Sequence, residues 1–227
     1  MARTVDHAAR TVRREAFLDA AERLIRTCGY EQMTVQDVLD EVGASKGAFY
    51  HYFGSKEALL EAVIERMTDG AMAVIDPIAN DPDRPSTAKL QAVFSAGGQW
   101  KTDRSDLLLG IIRSWYSDEN DLVRLRVARM AAEHLTPTLS AIIRQGVAEG
   151  SFSATSPHHT ASILTALLLG SGDTFSRLVL DRDDGRIAFE EAERYIDAYD
   201  EAIERILGLP EGSFVLIDAQ ALHVWLD

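Results

Sequence analysis

Two helix-start signals stand eleven residues apart, and they constrain the fold of this chain more than any other feature. Thr34 is followed three residues later by Asp37, which is the spacing of a capping box. Ser45 is suited to cap a second, very short helix that runs to about Tyr52. Between the two signals, Gly43 supplies the positive φ that a tight turn requires. The pattern predicts two short helices joined by a sharp turn.

The second of these helices has one apolar and one polar arc. At 100° per residue, Ala48, Phe49 and Tyr52 fall on the arc that faces the other helices. A helix of eight residues is about 12 Å long, comparable to the width of the DNA major groove. The opposite arc carries a glycine that lets a backbone approach closely and three side chains that can reach phosphates or base edges: Gly47, Lys46, Tyr50 and His51.

The same segment is also compatible with a plain helical hairpin. In that alternative, Tyr50 and Tyr52 only pack in an aromatic core. In the DNA-reading interpretation, Thr34 and Ser45 open helices whose free N–H groups are suited to bind phosphate.

Helical periodicity continues through most of the remaining chain, and strand signals are nearly absent. Only Phe214–Ile217 could form a strand, and a short helix is an equal alternative there. Pro137 is expected to kink or split its helix. The further predicted helices are 14–28, ending at Gly29, 55–75, ending before Asp76-Pro77, 86–101, 105–116, 121–149, 157–180 and 188–207.

Charge is unevenly distributed along the chain, whose formal net charge is −13. Residues 1–56 contain 8 Lys/Arg and 8 Asp/Glu, whereas residues 57–227 contain 15 and 28 and so supply the whole imbalance. A uniformly acidic protein would repel phosphate. A neutral amino-terminal part with a locally basic beginning is compatible with a small DNA-reading head on an acidic body.

The amino-terminal part resembles the DNA-binding head of the TetR family of bacterial transcriptional regulators over about residues 10–70. The resemblance is carried by Gly29-Tyr30, Thr34-Val35, the run Ser45-Lys46-Gly47 followed by Phe49-Tyr50-His51-Tyr52-Phe53, and Ser55-Lys56-Glu57-Ala58-Leu59. Leu39 departs from the family's usual small alanine, and Ala44 stands where valine is commoner.

The resemblance implies an all-α protein of about nine to ten helices. A three-helix head at 10–70 would bind DNA, and a larger helical domain at 71–227 would bind a ligand and dimerise. It further implies a homodimer on a palindromic operator in double-stranded DNA, released by an unknown small-molecule effector. Lys46, Tyr50, His51 and Lys56 match positions that commonly contact DNA.

A heptad seam along the helix at 188–207 predicts a helix partner. The apolar residues of this seam are separated by three and four positions, and an ordinary core-facing stripe remains the alternative. The preceding helix adds apolar residues and small glycines that permit close approach. We expect these two helices to form a four-helix dimer interface through Leu164, Leu167, Ile196, Tyr199 and Ile203.

Aromatic and soft apolar side chains in the second domain form a candidate effector pocket, as ligand cavities commonly do. Each of them is individually at least as well explained as core. The candidates are Phe94, Trp100, Trp115, Tyr116, Met130, His134 and Phe175.

Other classes of site find little support in the sequence. The adjacent His158 and His159 point to different faces of a helix, so no metal site and no cofactor are predicted. No nucleophile–base signature indicates an enzyme. The apolar stretches, such as Ile163–Leu169, are shorter than a membrane span needs, and the first residues lack a signal-peptide core, so we expect a cytoplasmic protein without a membrane partner.

The function predicted from the sequence is a ligand-responsive transcriptional repressor. The alternatives are a transcriptional activator, a regulator that senses a protein partner, and a helical ligand-binding or scaffold protein without DNA binding. The operator, the regulated genes, the effector and the role of residues 209–227 are not specified by the sequence.

Overall fold

The computed structural model describes residues 2–115 and 121–226, and for 2–9, 114, 115 and 122 it describes the backbone alone. Every regular element in these ranges is an α-helix, which confirms the predicted all-α fold. The ten helices are α1 (Ala2–Gln32), α2 (Val35–Val42), α3 (Lys46–Tyr52), α4 (Lys56–Ala79), α5 (Ser86–Thr102), α6 (Ser105–Trp115), α7 (Asp121–Glu149), α8 (Pro157–Asp183), α9 (Phe189–Leu207) and α10 (Ala219–Leu226).

Helices α1 and α4 differ most from their predicted bounds. Helix α1 begins near the amino terminus, and its regular geometry breaks at Gly29, where φ is 80°. Helix α4 continues to Ala79 because Pro77 lies in its last turn, where the N–H groups of Asn80 still reach the carbonyl of Asp76. Helix α7 has the predicted bounds, Asp121–Glu149, and of the two alternatives at Pro137 it does not show the split.

The segment after α9 is neither strand nor helix up to residue 218. Side chains take the backbone groups that a strand would use. The N–H groups of Gly212 and Phe214 donate to the two carboxylate oxygens of Glu204, and that of Leu216 donates to Asp200 Oδ1. The prediction for 214–217 was therefore wrong in both of its forms, because the hydrogen bonds come from α9 side chains.

The chain divides into two compact units, residues 1–68 with 106–127 and residues 69–105 with 128–227. The first unit contains the predicted head and, in addition, α6 and the beginning of α7. Its buried side chains include Phe17, Leu18, Ala21, Ile25, Val38, Leu39, Phe49, Phe53, Leu59, Leu60, Val63, Leu107, Ile111 and, at the beginning of α7, Val123.

The second unit has its own core, built from α4, α5, α7, α8, α9 and the segment before α10. Its members are Ile75, Ala79, Leu90, Val93, Leu139, Ile142, Ile143, Phe152, Ala161, Leu164, Ile203, Leu207 and Phe214.

Candidate nucleic-acid interface

Helix α2 is held at both ends by the caps that the sequence indicates. The N–H of Asp37 donates to Thr34 Oγ1 at 3.1 Å, and Thr34 donates its own N–H and hydroxyl to Asp37 Oδ2 at 2.8 and 2.7 Å. These hydrogen bonds lower the pKa of the Asp37 carboxyl below its usual value. Gly43 ends the helix with φ 64° and ψ 46°, and the N–H of Ala44 donates to the carbonyl of Leu39. The joint between α2 and α3 is thereby defined by local interactions.

Helix α3 is oriented by an aromatic cluster on its inner side. Phe49 is fully buried, and its ring lies 5.7 Å from the rings of both Phe17 in α1 and Phe53 after α3. Ser45 Oγ accepts the N–H of Ala48 at 3.3 Å and starts the helix. Because a seven-residue helix has only two turns, burial of Phe49 determines which arc faces solvent.

The outer arc of α3 carries four of the seven residues that the sequence predicts to bind DNA. Lys46, Gly47, Tyr50 and His51 are all exposed, and the Tyr50 side chain keeps 49% of its surface in solvent. Thr34 and Ser45 are exposed as well, but their hydroxyls are engaged in the helix caps.

Lys56, the seventh predicted residue, is held by its own unit. Its Nζ donates to the carbonyl of Glu31 at 3.1 Å and lies 4.3 Å from the centre of the Tyr30 ring. The side chain is half-buried. This geometry fixes the beginning of α4 against the end of α1, and it leaves Lys56 less reach than Lys46.

Gly47 has no steric reason within the chain to be glycine. A Cβ built there meets nothing within 4 Å, and the residue has no positive φ. Glycine in a helix costs about 0.5–1 kcal/mol relative to alanine. The open surface at this position is therefore suited to a partner that approaches the helix backbone.

Several carboxylates of the first unit are neutralised internally. Arg66 in α4 pairs with Glu15, Asp19 and Glu22 in α1 at 2.6 to 3.1 Å. Burial lowers the pKa of Arg66, but its hydrogen bonds with Glu22 and Asp19 outweigh this effect and raise it. The network joins α1 to α4 and reduces the negative charge that DNA would meet on this unit.

A close approach of α6 to α1 was missed by the sequence reasoning. A Cβ at Gly110 would lie 2.6 Å from the carbonyl oxygen of Ile25, so only glycine fits at this crossing. A glycine within an apolar helix was the available signal, but the sequence does not say which helix lies opposite it.

The described members of the predicted effector pocket pack against different partners. Phe94 meets Phe214 edge-on at 5.1 Å, and Phe175 meets Trp225 at 5.8 Å. Trp100 packs on the glycine of α4 at position 70 and lies 4.1 Å under the Arg104 guanidinium. Met130 is half-buried and His134 is exposed, whereas the side chain of Trp115 and all of Tyr116 lie outside the described residues.

The heptad seam of α9 faces the core of its own unit. Leu164, Ile196 and Ile203 are at most 3% exposed within the single chain, and Leu167 and Tyr199 are half-buried. Within the single chain the seam is thus a core-facing stripe, because its apolar side chains are already buried by neighbouring helices. Exposed apolar residues occupy the other sides of the two helices, where Ile163 is 60% and Tyr195 46% exposed.

Two further features of the described residues bear on the class of site. Within the described ranges, no three His, Cys, Asp or Glu side chains are grouped to hold a metal ion. Helix α8 is long and apolar enough to cross a membrane by length and composition alone. Because Leu164, Leu178 and Val179 are buried in the second unit, α8 is better described as a core helix with one apolar exposed side.

The head thus has the parts of a helix-turn-helix DNA-binding domain: a capped helix, a left-handed glycine turn, and a short second helix with an exposed polar arc. Comparison with known proteins agrees with this class. A family model described as "Bacterial regulatory proteins, tetR family" matches residues 17–63.

Relatives and solved structures extend the similarity beyond the head. The HTH-type transcriptional regulator EthR of Mycolicibacterium smegmatis is 26% identical over 144 residues, which are 56% of this chain and 66% of that protein. The HTH-type transcriptional repressor AcnR of Corynebacterium efficiens is 30% identical over 131 residues, 52% of this chain and 65% of that protein. The chain thus spans slightly less than two thirds of the length of these two curated relatives.

A solved structure, the TetR family transcriptional regulator PfmR of Thermus thermophilus, is 26% identical with a TM-score of 0.51, and the match covers 86% of this chain and 98% of that one. Residues 17–63 thus form a helix-turn-helix DNA-binding head of the TetR family of bacterial regulators.

Proposed function

We propose that the chain is a dimeric, effector-responsive transcriptional repressor that binds a palindromic operator. The single observation that carries the DNA-binding step is the outer arc of α3, where an exposed glycine without an internal steric role stands among Lys46, Tyr50 and His51. AcnR, a relative by sequence, is named as a repressor, which favours repression over activation.

In the proposed complex, α3 lies in the major groove. Its seven residues span about 10 Å, which fits a groove about 12 Å wide. Gly47 lets the helix backbone approach the DNA, Lys46 binds a phosphate, and Tyr50 and His51 reach phosphates or base edges. Lys56 contributes through its charge, since its Nζ already has a carbonyl partner. Such a protein acts in the cytoplasm, where the bacterial chromosome lies.

The exposed sides of α8 and α9 are the proposed dimer interface. Ile163, Ala166 and Gly170 on α8 are separated by three and four positions, and Tyr195 and Ala198 on α9 are three positions apart; all five are exposed. Their apolar or small side chains suit close helix packing against a second copy of the chain. We therefore propose these exposed residues for the dimer contact, in place of the inward-facing residues of the α9 seam.

Effector binding in the second unit is proposed to change the spacing of the two reading heads. Helix α4 is continuous from residue 56 in the first unit to Ala79 in the second, and Trp100 packs on it at Gly70. Coupling free energies of about 1–3 kcal/mol would change operator affinity roughly 5- to 150-fold, with the reciprocal effect on effector affinity.

The test is footprinting and gel-shift titration on the DNA upstream of the chain's own coding region. We expect protection of a palindrome, and Lys46→Ala should weaken binding and lower the slope of log affinity against log salt by roughly 0.9. Lys46→Arg is the matched control, since it keeps the charge and should keep the slope. Failure to protect any operator-like sequence, or an unchanged slope with undiminished affinity in Lys46→Ala, would contradict the proposed interface.

A reporter placed behind the protected sequence separates repression from activation. Deletion of the chain's coding region should raise expression of the reporter. A fall in expression would identify an activator, and unchanged expression despite DNA binding would contradict regulation from the protected sequence.

A further inference from the structure

Helix α10 covers a surface formed by α5 and α8 of the second unit. Trp225, in the last turn of α10, makes two of the contacts with this surface. The indole Nε1 of Trp225 donates to Thr102 Oγ1 at 3.2 Å, and its ring meets Phe175 edge-on at 5.8 Å. Leu222 and Leu226 are buried beside it. The surface therefore provides a hydroxyl acceptor for the indole N–H of Trp225 and an aromatic ring in edge-on contact with its indole.

A guanidinium lies at the other end of this surface. Arg182 Nε donates to the carbonyl of Leu226 at 3.1 Å. Phe175 and Arg182 are seven residues apart, so they share a face of α8 and stand about 10 Å apart along its axis. We refer to the surface of Thr102, Phe175 and Arg182 as the α10 site.

The attachment of α10 differs from that of the segment before it. Glu204 and Asp200 bind the N–H groups of residues 212, 214 and 216, and the Gln91 amide pairs with both the N–H and the carbonyl of Val215. Phe214 is buried in the core. These contacts fix the segment firmly. Helix α10 follows it and starts at Asp218, whose Oδ1 accepts the N–H of Ala221.

Helix α10 has eight residues, and a helix of this length is not stable by itself in water. It is held by the contacts of Trp225 and Leu226 and by the stacking of His223 on Phe189 at 4.5 Å. Local opening of α10 about residue 218 would leave the fixed segment and the core in place.

We propose that α10 is a displaceable lid and that the α10 site binds the effector, an elongated aromatic carboxylate that takes the place of Trp225. This inference rests on the proposed function, because it identifies the effector class of the regulator. The ring of the ligand packs on Phe175, a ring N–H or O–H donates to Thr102 Oγ1, and the carboxylate accepts from Arg182.

The exchange is favourable because of the charge of the ligand. Arg182 now donates one hydrogen bond to a neutral backbone carbonyl, whereas a carboxylate adds an opposite charge and can accept two parallel N–H bonds from the guanidinium. A ring without the carboxylate does not gain this bond, and a cationic analogue is repelled. The spacing of about 10 Å along α8 selects a ring joined to its carboxylate by a short chain.

The probe is indole-3-propionate, which combines the ring of Trp225 with such a carboxylate, and tryptamine is the cationic control. Calorimetric titration of the full chain should show binding of the propionate and none of tryptamine. Trp225→Ala, which opens the site, should bind the propionate about tenfold more tightly, and Arg182→Gln about tenfold more weakly. Arg177→Gln, an exposed arginine of the same helix, is the matched control and should bind as the wild type does.

Hydrogen exchange of the unmodified chain keeps the test independent of how the variants fold. Saturating indole-3-propionate should accelerate exchange of the amides of 221–226 and leave those of 212–216 unchanged. Equal affinities of the wild type and Arg182→Gln, unaccelerated exchange in α10, or no binding to either the wild type or Trp225→Ala at millimolar probe would overturn the lid. If operator binding persists in that case, only this inference fails. Loss of the proposed function would instead appear as absence of operator binding, whatever the probe does.

Discussion

Helices α3 and α9 are both strongly amphipathic, yet their polar and apolar sides have different uses. Helix α3 buries Phe49 against α1 and leaves its whole opposite arc in solvent. Helix α9 buries Ala192, Ile196, Ile203 and Leu207 within its own unit, and the exposed Tyr195 lies on another side. The two helices show that an apolar stripe reports burial but not what it is buried against.

The difference arises from how locally each helix is determined. Helix α3 is short, capped by Ser45 and joined to α2 by the left-handed Gly43, so its orientation follows from its neighbours in sequence. Helix α9 meets residues far away in the chain, such as Leu90 and Leu164, with which Ile203 shares the core. A core and a dimer interface require the same pattern of residues, and only the packing distinguishes them.

The largest expected effect is on stability, and it distinguishes the buried side of the α8–α9 pair from its exposed side. Ile203→Glu places an unpaired carboxylate in the core and should destabilise the fold by more than about 4 kcal/mol, which would be seen as loss of helicity and solubility. Ile163→Glu, on the exposed side of α8, should keep the thermal transition of a folded chain and yield monomers in sedimentation. A folded monomer from Ile203→Glu would return the α9 seam to the dimer interface.

An intermediate effect is expected on the outer arc of α3. Gly47→Ala should stabilise the helix by about 0.5–1 kcal/mol, because a methyl group meets open space there and the unfolded chain loses freedom. The same methyl group should keep the helix backbone away from DNA and weaken operator binding about tenfold, equivalent to about 1.4 kcal/mol. Thermal melting and gel-shift titration measure the two changes.

Gly98→Ala is the matched control, since a Cβ there also meets nothing within 4 Å, but on α5. It should leave operator affinity unchanged. Undiminished DNA binding in Gly47→Ala would mean that α3 does not approach DNA through this arc.

The smallest effect concerns the carboxylates that hold the segment after α9. Burial raises the pKa of Asp200 to about 6, opposed by the N–H of Leu216 and supported by the charges of Asp197 and Glu204. Since the folded pKa exceeds the ordinary value of 3.8, the contribution of this carboxyl to stability is present below pH 4 and lost as pH rises through 6.

Asp200→Asn keeps an oxygen acceptor for Leu216 and removes the charge. Calorimetric melting should show the variant more stable than the wild type at pH 8 by about 1 kcal/mol, after allowance for the half-exposed position, with the two converging near pH 4. Glu201→Gln, which removes an exposed carboxylate of the same helix, should not show this pattern. A wild type that is equally or more stable than Asp200→Asn at pH 8 would contradict the raised pKa.

Much of the head follows from local chemistry. Three features each involve residues within a few positions of one another: the capping pair Thr34–Asp37, the turn at Gly43, and the division of α3 into a buried arc with Phe49 and an exposed arc. Their physical preferences do not depend on distant parts of the chain. For this reason the exposed arc of Lys46, Gly47, Tyr50 and His51 was predictable before its surroundings were known.

Which residues distant in sequence pack against each other was determined only by the folded structure. The predicted pocket residues Phe94 and Phe175 pack against Phe214 and Trp225, and the glycine at 110 lies against the backbone of Ile25. Apolar burial is proportional to area and has no direction, so a side chain's preference for an interior does not say which interior. The residues alone therefore specified the helices, their caps and the outer arc of α3, whereas three-dimensional packing determined that the α9 seam turns inward and that α10 covers the surface between α5 and α8.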